Sequence, residues 1–415
     1  MGGADARRAA GPTRPDERVR GTGPPTSPAL DRFGNGPVQG HAQEKGRSPP
    51  DPPSRPATGA RRGSSTTRCW RPRKETGSRR RACWGSKARR SATPCRSASG
   101  TWWSSSTSNE LCDNKIEEGK LISAKTIRIT TIVENSTSVA GVLAEWGISV
   151  FIEAGEKSFL LDTGASDVMV RNADKLTIDL KKTEAVILSH GHFDHTGGLP
   201  AVLERIGRSD IRIVAHPEVL GRKYSYNKKK SIYRYAGIPS CRDRLESWGG
   251  RFEFSTAPVW LSEDIAASGE EPLTTEFEAV ADNLCLKEGE QFVQDPMSDD
   301  QSLYIRTDLG LIIILGCAHR GMINIIRHAK ELMDTDRVYM VIGGTHLGPA
   351  SQGQVDKTIQ ALREMDVAWL GVSHCTGLPV AAKLAREFEG RFFFNSAGTV
   401  IRFPYTDSTV KRPGS

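Results

Sequence analysis

Three histidines and an aspartate, His190, His192, Asp194 and His195, fall within six positions of the stretch LSHGHFDHTGG, in a chain with nine histidines in all. His190 and His192 stand two apart on a turn containing Gly191 and can aim neutral ring nitrogens at one ion. Asp194 and the adjacent His195 project differently, which suits them to a second ion close by. Imidazole and carboxylate together suit zinc, iron or manganese better than a thiolate site would. Two such ions sharing a water lower its pKa, supply hydroxide near neutral pH and clamp a substrate oxygen. The expected chemistry is metal-assisted attack on a small substrate.

Such a cluster needs a rigid edge to stand on. KTIRITTIVEN, GISVFIEA and KSFLLDTG are rich in β-branched residues and separated by turn signals, so they read as strands. A rhythm of buried strand, loop and amphipathic helix then follows. EAVILSH precedes GGLPAVLERIG, GLIIILGCAH precedes GMINIIRHAKELM, VYMVIGGTH precedes QVDKTIQALREM, and VAWLGVSH precedes GLPVAAKLAREFEG. The alternation predicts an α/β domain with helix-covered sheets. His190, His319, His346 and His374 each end one of these four strands, and sites in such sheets form at strand carboxyl ends. Six of the nine histidines are thereby placed on one edge. His216, before Pro217, reads as a strand end only.

Between about 217 and 292 the pattern weakens, and an inserted cap is expected there. It contains the basic aromatic run KYSYNKKKSIYRY, in which Lys228, Lys229, Lys230 and Tyr233 could hold a phosphate, a carboxylate or a flat ring. A solvated basic loop is the plainer reading. Cys375, beside His374, has no helix start or cationic neighbourhood in the sequence that would make it a nucleophile.

Composition divides the chain. Residues 1–108 hold 22 Lys+Arg against 7 Asp+Glu, a net of +15, while the remaining 35 basic and 42 acidic residues net −7. The first part is rich in Pro, Gly, Ser and Arg, without apolar periodicity, and is expected to be disordered. A basic arm, a targeting peptide and sequence upstream of the true start are the alternatives for it. A linker over 109–124, a domain over 125–405 and a short tail over 406–415 complete the division. No secretory segment is read at the start, and the longest apolar run, GLIIILGCA, is too short to span a bilayer. Eight cysteines without regular spacing make no disulfide framework, so a soluble, cytoplasmic protein is expected.

HGHFDH matches the His-x-His-x-Asp-His signature, and with it the chain resembles the metallo-β-lactamase superfamily. AEWGISVFIEAGEKSFLLDTGAS, DDQSLYIRTDLGLIIILGCAHRGMINII, VIGGTHLGPAS and HCTGLP extend the likeness to a subgroup related to an archaeal dihydropterin-ribofuranosylaminobenzene phosphate synthase. The resemblance covers roughly residues 125–405 and implies an αββα sandwich with a dinuclear centre on its edge. It implies His190, His192 and His319 around a first ion and Asp194, His195 and His374 around a second. The bridging aspartate of many members has no clear counterpart here; Cys317, Asp299 and Asp300 are candidates. Asp162 in LDTG resembles a carboxylate that orients the ligand loop. Asp194 and His346 are the expected catalytic residues, His346 as proton donor or substrate-binding group.

The leading expectation is a metal-dependent hydrolase acting on a small anionic, phosphate-bearing substrate through two divalent ions, with zinc preferred to iron or manganese. The subgroup's transferase reaction, joining a pterin methyl diphosphate to a ribofuranosylaminobenzene phosphate, is the alternative. A nuclease conflicts with the acidic balance of the folded part. A non-catalytic metal-binding protein conflicts with the full set of histidines.

Overall fold

The computed structural model describes residues 121–406. The expected extension over 1–108, most of the linker and all but the first residue of the tail lie outside the described residues. Ile122 and Ala124, assigned to the linker, are already docked: their amides donate to Asp264 Oδ2 and Asp308 Oδ1, both at 2.9 Å.

One sheet consists of β1 (Ile127–Val133), β2 (Ser149–Ala154), β3 (Lys157–Leu161), β4 (Ala185–Ile187), β5 (Ile211–Ala215), β8 (Gly250–Phe254) and β18 (Val400–Arg402). Its order is β18-β1-β2-β3-β4-β5-β8. A second consists of β9 (Val259–Ser262), β10 (Ile265–Ala267), β13 (Leu303–Thr307), β14 (Gly310–Leu315), β15 (Val338–Gly344), β16 (Trp369–Ser373) and β17 (Phe392–Phe394), ordered β17-β16-β15-β14-β13-β10-β9. Strands β3, β4, β5 and β8 run parallel, as do β14 to β17, so the loops after them open on the same kind of edge. Both runs need crossover connections, and helices supply most of them.

Alternation along the strands assigns the layers. Ile312 and Ile314 face the inter-sheet core with Phe159, Leu161, Ile187 and Ile342, while Leu311, Ile313 and Leu315 face outward. The outward set is covered by α5 (Met322–Leu332), α6 (Gln352–Glu364) and α7 (Leu378–Glu387) through Ile325, Leu362 and Leu384. On the other sheet Leu160 and Val186 face Met169 of α1 (Val168–Lys175) and Leu203 of α3 (Leu199–Ile206). Burial on both faces explains why GLIIIL reads as an unbroken apolar run. The result is the expected αββα sandwich.

The cap is smaller than the stretch 217–292. Only β6 (Lys223–Asn227), β7 (Ile232–Tyr235), β11 (Leu284–Glu288) and β12 (Gln291–Gln294) form a separate four-stranded sheet, ordered β12-β11-β6-β7. The residues between them lengthen the two main sheets: β8 pairs with β5, and β10 with β13. Each of these strands is short and pairs with a partner distant in sequence, which leaves little local periodicity to read.

Candidate metal centre

The loops after β3, β4, β14, β15 and β16 meet at one edge. Four non-glycine residues there have positive φ: Asp162 (57°), Ala318 (54°), His346 (48°) and His374 (51°). Left-handed backbone costs such residues about 1–3 kcal/mol each and persists where surrounding structure over-determines it. Close approach between strand ends is part of that constraint. A Cβ on Gly316 would lie 2.1 Å from Ser189 Oγ, and one on Gly344 would lie 2.4 Å from the Gly316 carbonyl oxygen and 2.8 Å from Cys375 Sγ. Only glycine lets the sheets' edges come together here.

The short helix α2 (Phe193–Thr196) begins directly after His192 and turns Asp194 and His195 back toward His190. Asp162 secures this loop from beneath. Its Oδ1 accepts from Ser189 N, and its Oδ2 from Ser189 Oγ and His195 Nδ1, all at 2.7 Å. The Ser189 hydroxyl has one proton and gives it to the carboxylate, so its oxygen accepts from His190 Nδ1 at 2.9 Å. Both rings are thus oriented through Nδ1, so that Nε2 of each is turned toward the centre. His374 is set in the same way: Asn135, oriented by Gly147 N and the His374 carbonyl, accepts from His374 Nδ1 at 2.9 Å. Glu134 Oε1 also accepts from His374 N at 2.7 Å.

The inward nitrogens converge. His190 Nε2 lies 2.9 Å from His192 Nδ1 and 3.2 Å from His319 Nε2. Ligand atoms of His190, His192 and His319 lie within 4.8 Å of one another, and so do those of Asp194, His195 and His374. These are the two groups that the family resemblance implies around separate ions. Burial, reinforced by neighbouring histidines, pushes His190 and His319 well below the usual imidazole range, and burial takes His192 down to about 3. Their lone pairs are therefore available at neutral pH. In the second group burial opposes charge, but Asp162 and Asp194 raise His195 to about 9. Asp194 itself is held well below the usual carboxylate range against its burial, by His374 and His195. Positive charge is favoured there, and a cation would supply it.

The donor chemistry fits divalent metal. His192 Nε2 and His319 Nδ1 are buried without a hydrogen-bond partner. Three imidazoles form a zinc-type set, and two imidazoles with a carboxylate form another.

Of the residues carried as bridging or supporting candidates, Asp162 lies under the loop. Asp299 Oδ2 accepts from Gly191 N and its Oδ1 from Lys223 Nζ, both at 2.8 Å. Asp300 accepts from Arg320 N at 2.8 Å, and burial raises its carboxyl to about 8. Neither belongs to the converging groups. Cys317 does, with His195 Nε2 3.2 Å from its sulfur.

His346 packs its ring on His319, with centroids 4.1 Å apart. Both line a cavity of about 440 Å³ with Asp282, Asn283, Ser351 and Gln354. Lys228 ion-pairs with Asp282 at the rim of that cavity, Lys229 and Lys230 are exposed at the β6–β7 turn, and Tyr233 stacks on Phe292 with centroids 3.7 Å apart. At the base of this hairpin Ala236 O accepts from Phe193 N at 2.8 Å, joining it to the ligand loop.

Several supports were not visible in the sequence. Lys223, 1% exposed, bridges Asp295 and Asp299 beneath the Gly191 turn, each at 2.8 Å. It belongs to a run that reads as a basic surface loop. Glu134 and Asn135 reach a histidine about 240 positions away, and no local signal marks them.

The family model of the metallo-beta-lactamase superfamily matches residues 148–317. A 7,8-dihydropterin-6-methyl-4-(beta-D-ribofuranosyl)-aminobenzene-5'-phosphate synthase of Methanocaldococcus jannaschii is 32% identical over 289 residues, spanning 67% of this chain and 97% of that protein. An uncharacterized protein of the same organism is 29% identical over 273 residues, covering 65% and 98% respectively. Among solved structures, Tm1679, a metal-dependent hydrolase of the β-lactamase superfamily, is 31% identical with a TM-score of 0.58, covering 66% of this chain and 98% of that one. Fold, loop signature and full-length likeness agree, and the chain belongs to the metallo-β-lactamase superfamily.

Proposed function

We propose that the protein is a metal-dependent hydrolase that cleaves a small, phosphate-bearing substrate at a dinuclear centre. His190, His192 and His319 would hold one ion, and Asp194, His195 and His374 the other. The observation that carries this reading is the convergence of two complete three-residue groups on one edge, each within 4.8 Å. When bound, two divalent ions supply Lewis acidity toward a phosphate or ester oxygen and an acidified water.

The chain's own residues do the rest. Asp162 and Ser189 hold the outward nitrogens of His190 and His195, so that the inward ones are presented to the ions. Asp194, beside His374, is kept ionised by its histidine neighbours, which suits it to hold an ion. His346 stands in the polar cavity against His319, where it can donate to a departing oxygen. Burial works against its charge, but Cys375 and Asp300 raise its pKa above the ordinary histidine value, which favours the protonated, donating form. Lys228, Lys229, Lys230 and Tyr233 form the basic, aromatic rim that would receive the substrate's anionic end.

A transferase is the second reading, and the 32% identity to a protein named as a synthase favours it. The same centre would then stabilise a departing diphosphate while carbon bonds to an aromatic amine. Elemental analysis of the full chain purified without chelators tests the shared premise, with about two ions per chain expected. Incubation with diphosphate esters, with and without an aromatic amine, separates the readings. Release of diphosphate that needs no amine supports hydrolysis; release only with the amine, together with a coupled product, supports transfer. A chain that takes up no divalent metal sinks both.

A further inference from the structure

We propose that Cys317 supplies a thiolate shared by the two ions and thereby makes the centre selective for zinc-class ions over harder ones. This rests on the dinuclear reading above.

The sulfur lies where the two groups meet. Cys317 Sγ is within 4.8 Å of ligand atoms of His190 and His195 in one set, of His319 and His346 in a second, and of His374 and Cys375 in a third. It thus adjoins two members of each proposed ion's group. His195 Nε2, turned inward by the Asp162 bond to Nδ1, is 3.2 Å from it.

No described carboxylate competes for that place. Both oxygens of Asp162 are occupied by Ser189 and His195, both oxygens of Asp299 by Gly191 and Lys223, and Asp300 turns to the Arg320 amide. Asp194 is the one carboxylate among the converging groups, and it lies with His195 and His374.

The backbone is shaped to deliver the sulfur. Gly316 passes Ser189 with no room for a Cβ, and Ala318 takes a positive φ of 54° immediately after Cys317, which turns the chain so that His319 also faces the centre. A residue needed only to fill apolar space would not require this path. As an ion binds, the thiol gives its proton to solvent and the sulfur bonds to the metal as thiolate. Soft sulfur raises affinity for zinc and cobalt relative to manganese and magnesium, which prefer oxygen donors. Cys375 plays a different part: its Sγ accepts from His346 N at 3.2 Å and donates to the Cys317 carbonyl at 3.5 Å, so it holds the two loops together.

The test is cobalt(II) loading of the full chain, read by thiolate-to-cobalt charge-transfer absorption in the near ultraviolet. Wild type should show the band. C317S should lose it, C375S should keep it, and C317D should retain about two ions with no band. X-ray absorption at the zinc edge of wild type, which needs no variant to fold, should contain a metal–sulfur shell at about 2.3 Å. Two bound ions without band or sulfur shell overturn the proposal and leave the dinuclear reading standing. A band that survives in C317S, or vanishes only in C375S, overturns it as well. Absence of any divalent metal removes both.

Discussion

The two sheets contribute to one centre in opposite ways. The sheet of β3 and β4 delivers His190, His192, Asp194 and His195 from a single loop, all within six residues. The sheet of β14, β15 and β16 delivers His319, His346 and His374 from three strand ends, each about thirty residues from the next. A loop can hold a compact set because one carboxylate, Asp162, fixes its serine and two of its imidazoles. Separate strand ends need separate supports, and the structure provides them: Glu134 and Asn135 for His374, and Cys375 for the backbone of His346. Compactness in sequence therefore reports how few outside partners a ligand set requires.

That contrast can be broken most forcefully by removing one ligand from each side. His192→Ala and His319→Ala should each cost about one of two ions per chain and bring turnover down by about 100-fold or more, the scale of losing a group that stabilises developing charge. Elemental analysis and steady-state rates would check it; unchanged metal content in either variant would mean that the ligand groups are wrongly drawn. Asp162→Ala should weaken metal affinity by about 10–100-fold, as for other partners of ligating histidines. Asn135→Ala, which frees only His374, should act on one ion alone. Competition against a chelator of known affinity would separate these two outcomes.

A steric test addresses the close approach of the ends of β14, β15 and β16. Gly344→Ala places a methyl against the Gly316 carbonyl and Cys375 Sγ, and should lower stability by about 1–3 kcal/mol, seen as a reduced Tm. Ser351→Ala removes the cap that accepts from Gln354 N at the start of α6, and should cost about 1 kcal/mol while leaving metal content intact. The smallest effect is expected at the rim. Lys228→Ala should raise KM for a phosphate-bearing substrate severalfold with little change in kcat, since the Lys228–Asp282 pair is exposed and solvent-screened.

The same contrast explains what could be read from the sequence. HGHFDH was legible because its ligands are contiguous. His319, His346 and His374 were legible only through the strand rhythm, which put them on one edge before any contact was known. Asp299 and Asp300 could be named but not oriented, because an aspartate pair in a loop carries no sign of its partners, and Asp299 meets both the Gly191 amide and a buried lysine 76 positions away. Lys223 was hidden for the converse reason: its neighbours are basic and exposed, and only pairing with Asp295 and Asp299 lets it enter the interior. The cap was drawn too large because β8, β9 and β10 are strands of three to five residues, and β8 and β10 join the main sheets through β5 and β13, which lie elsewhere in the chain.

The grip of Glu134 and Asn135 on His374 has a consequence for biosynthesis. These residues lie near the start of the described domain and the histidine near its end, so on the proposed dinuclear reading the last donor is seated only after nearly the whole domain has emerged. Until then the first loop can offer a nascent chain's metal no more than a partial, weaker set of donors. An ion captured in full coordination is therefore a report that the polypeptide has closed on itself. By mass action such an ion stabilises the closed state over every earlier one. Metal supply during synthesis would then govern how much protein matures, apart from any effect on its rate of turnover.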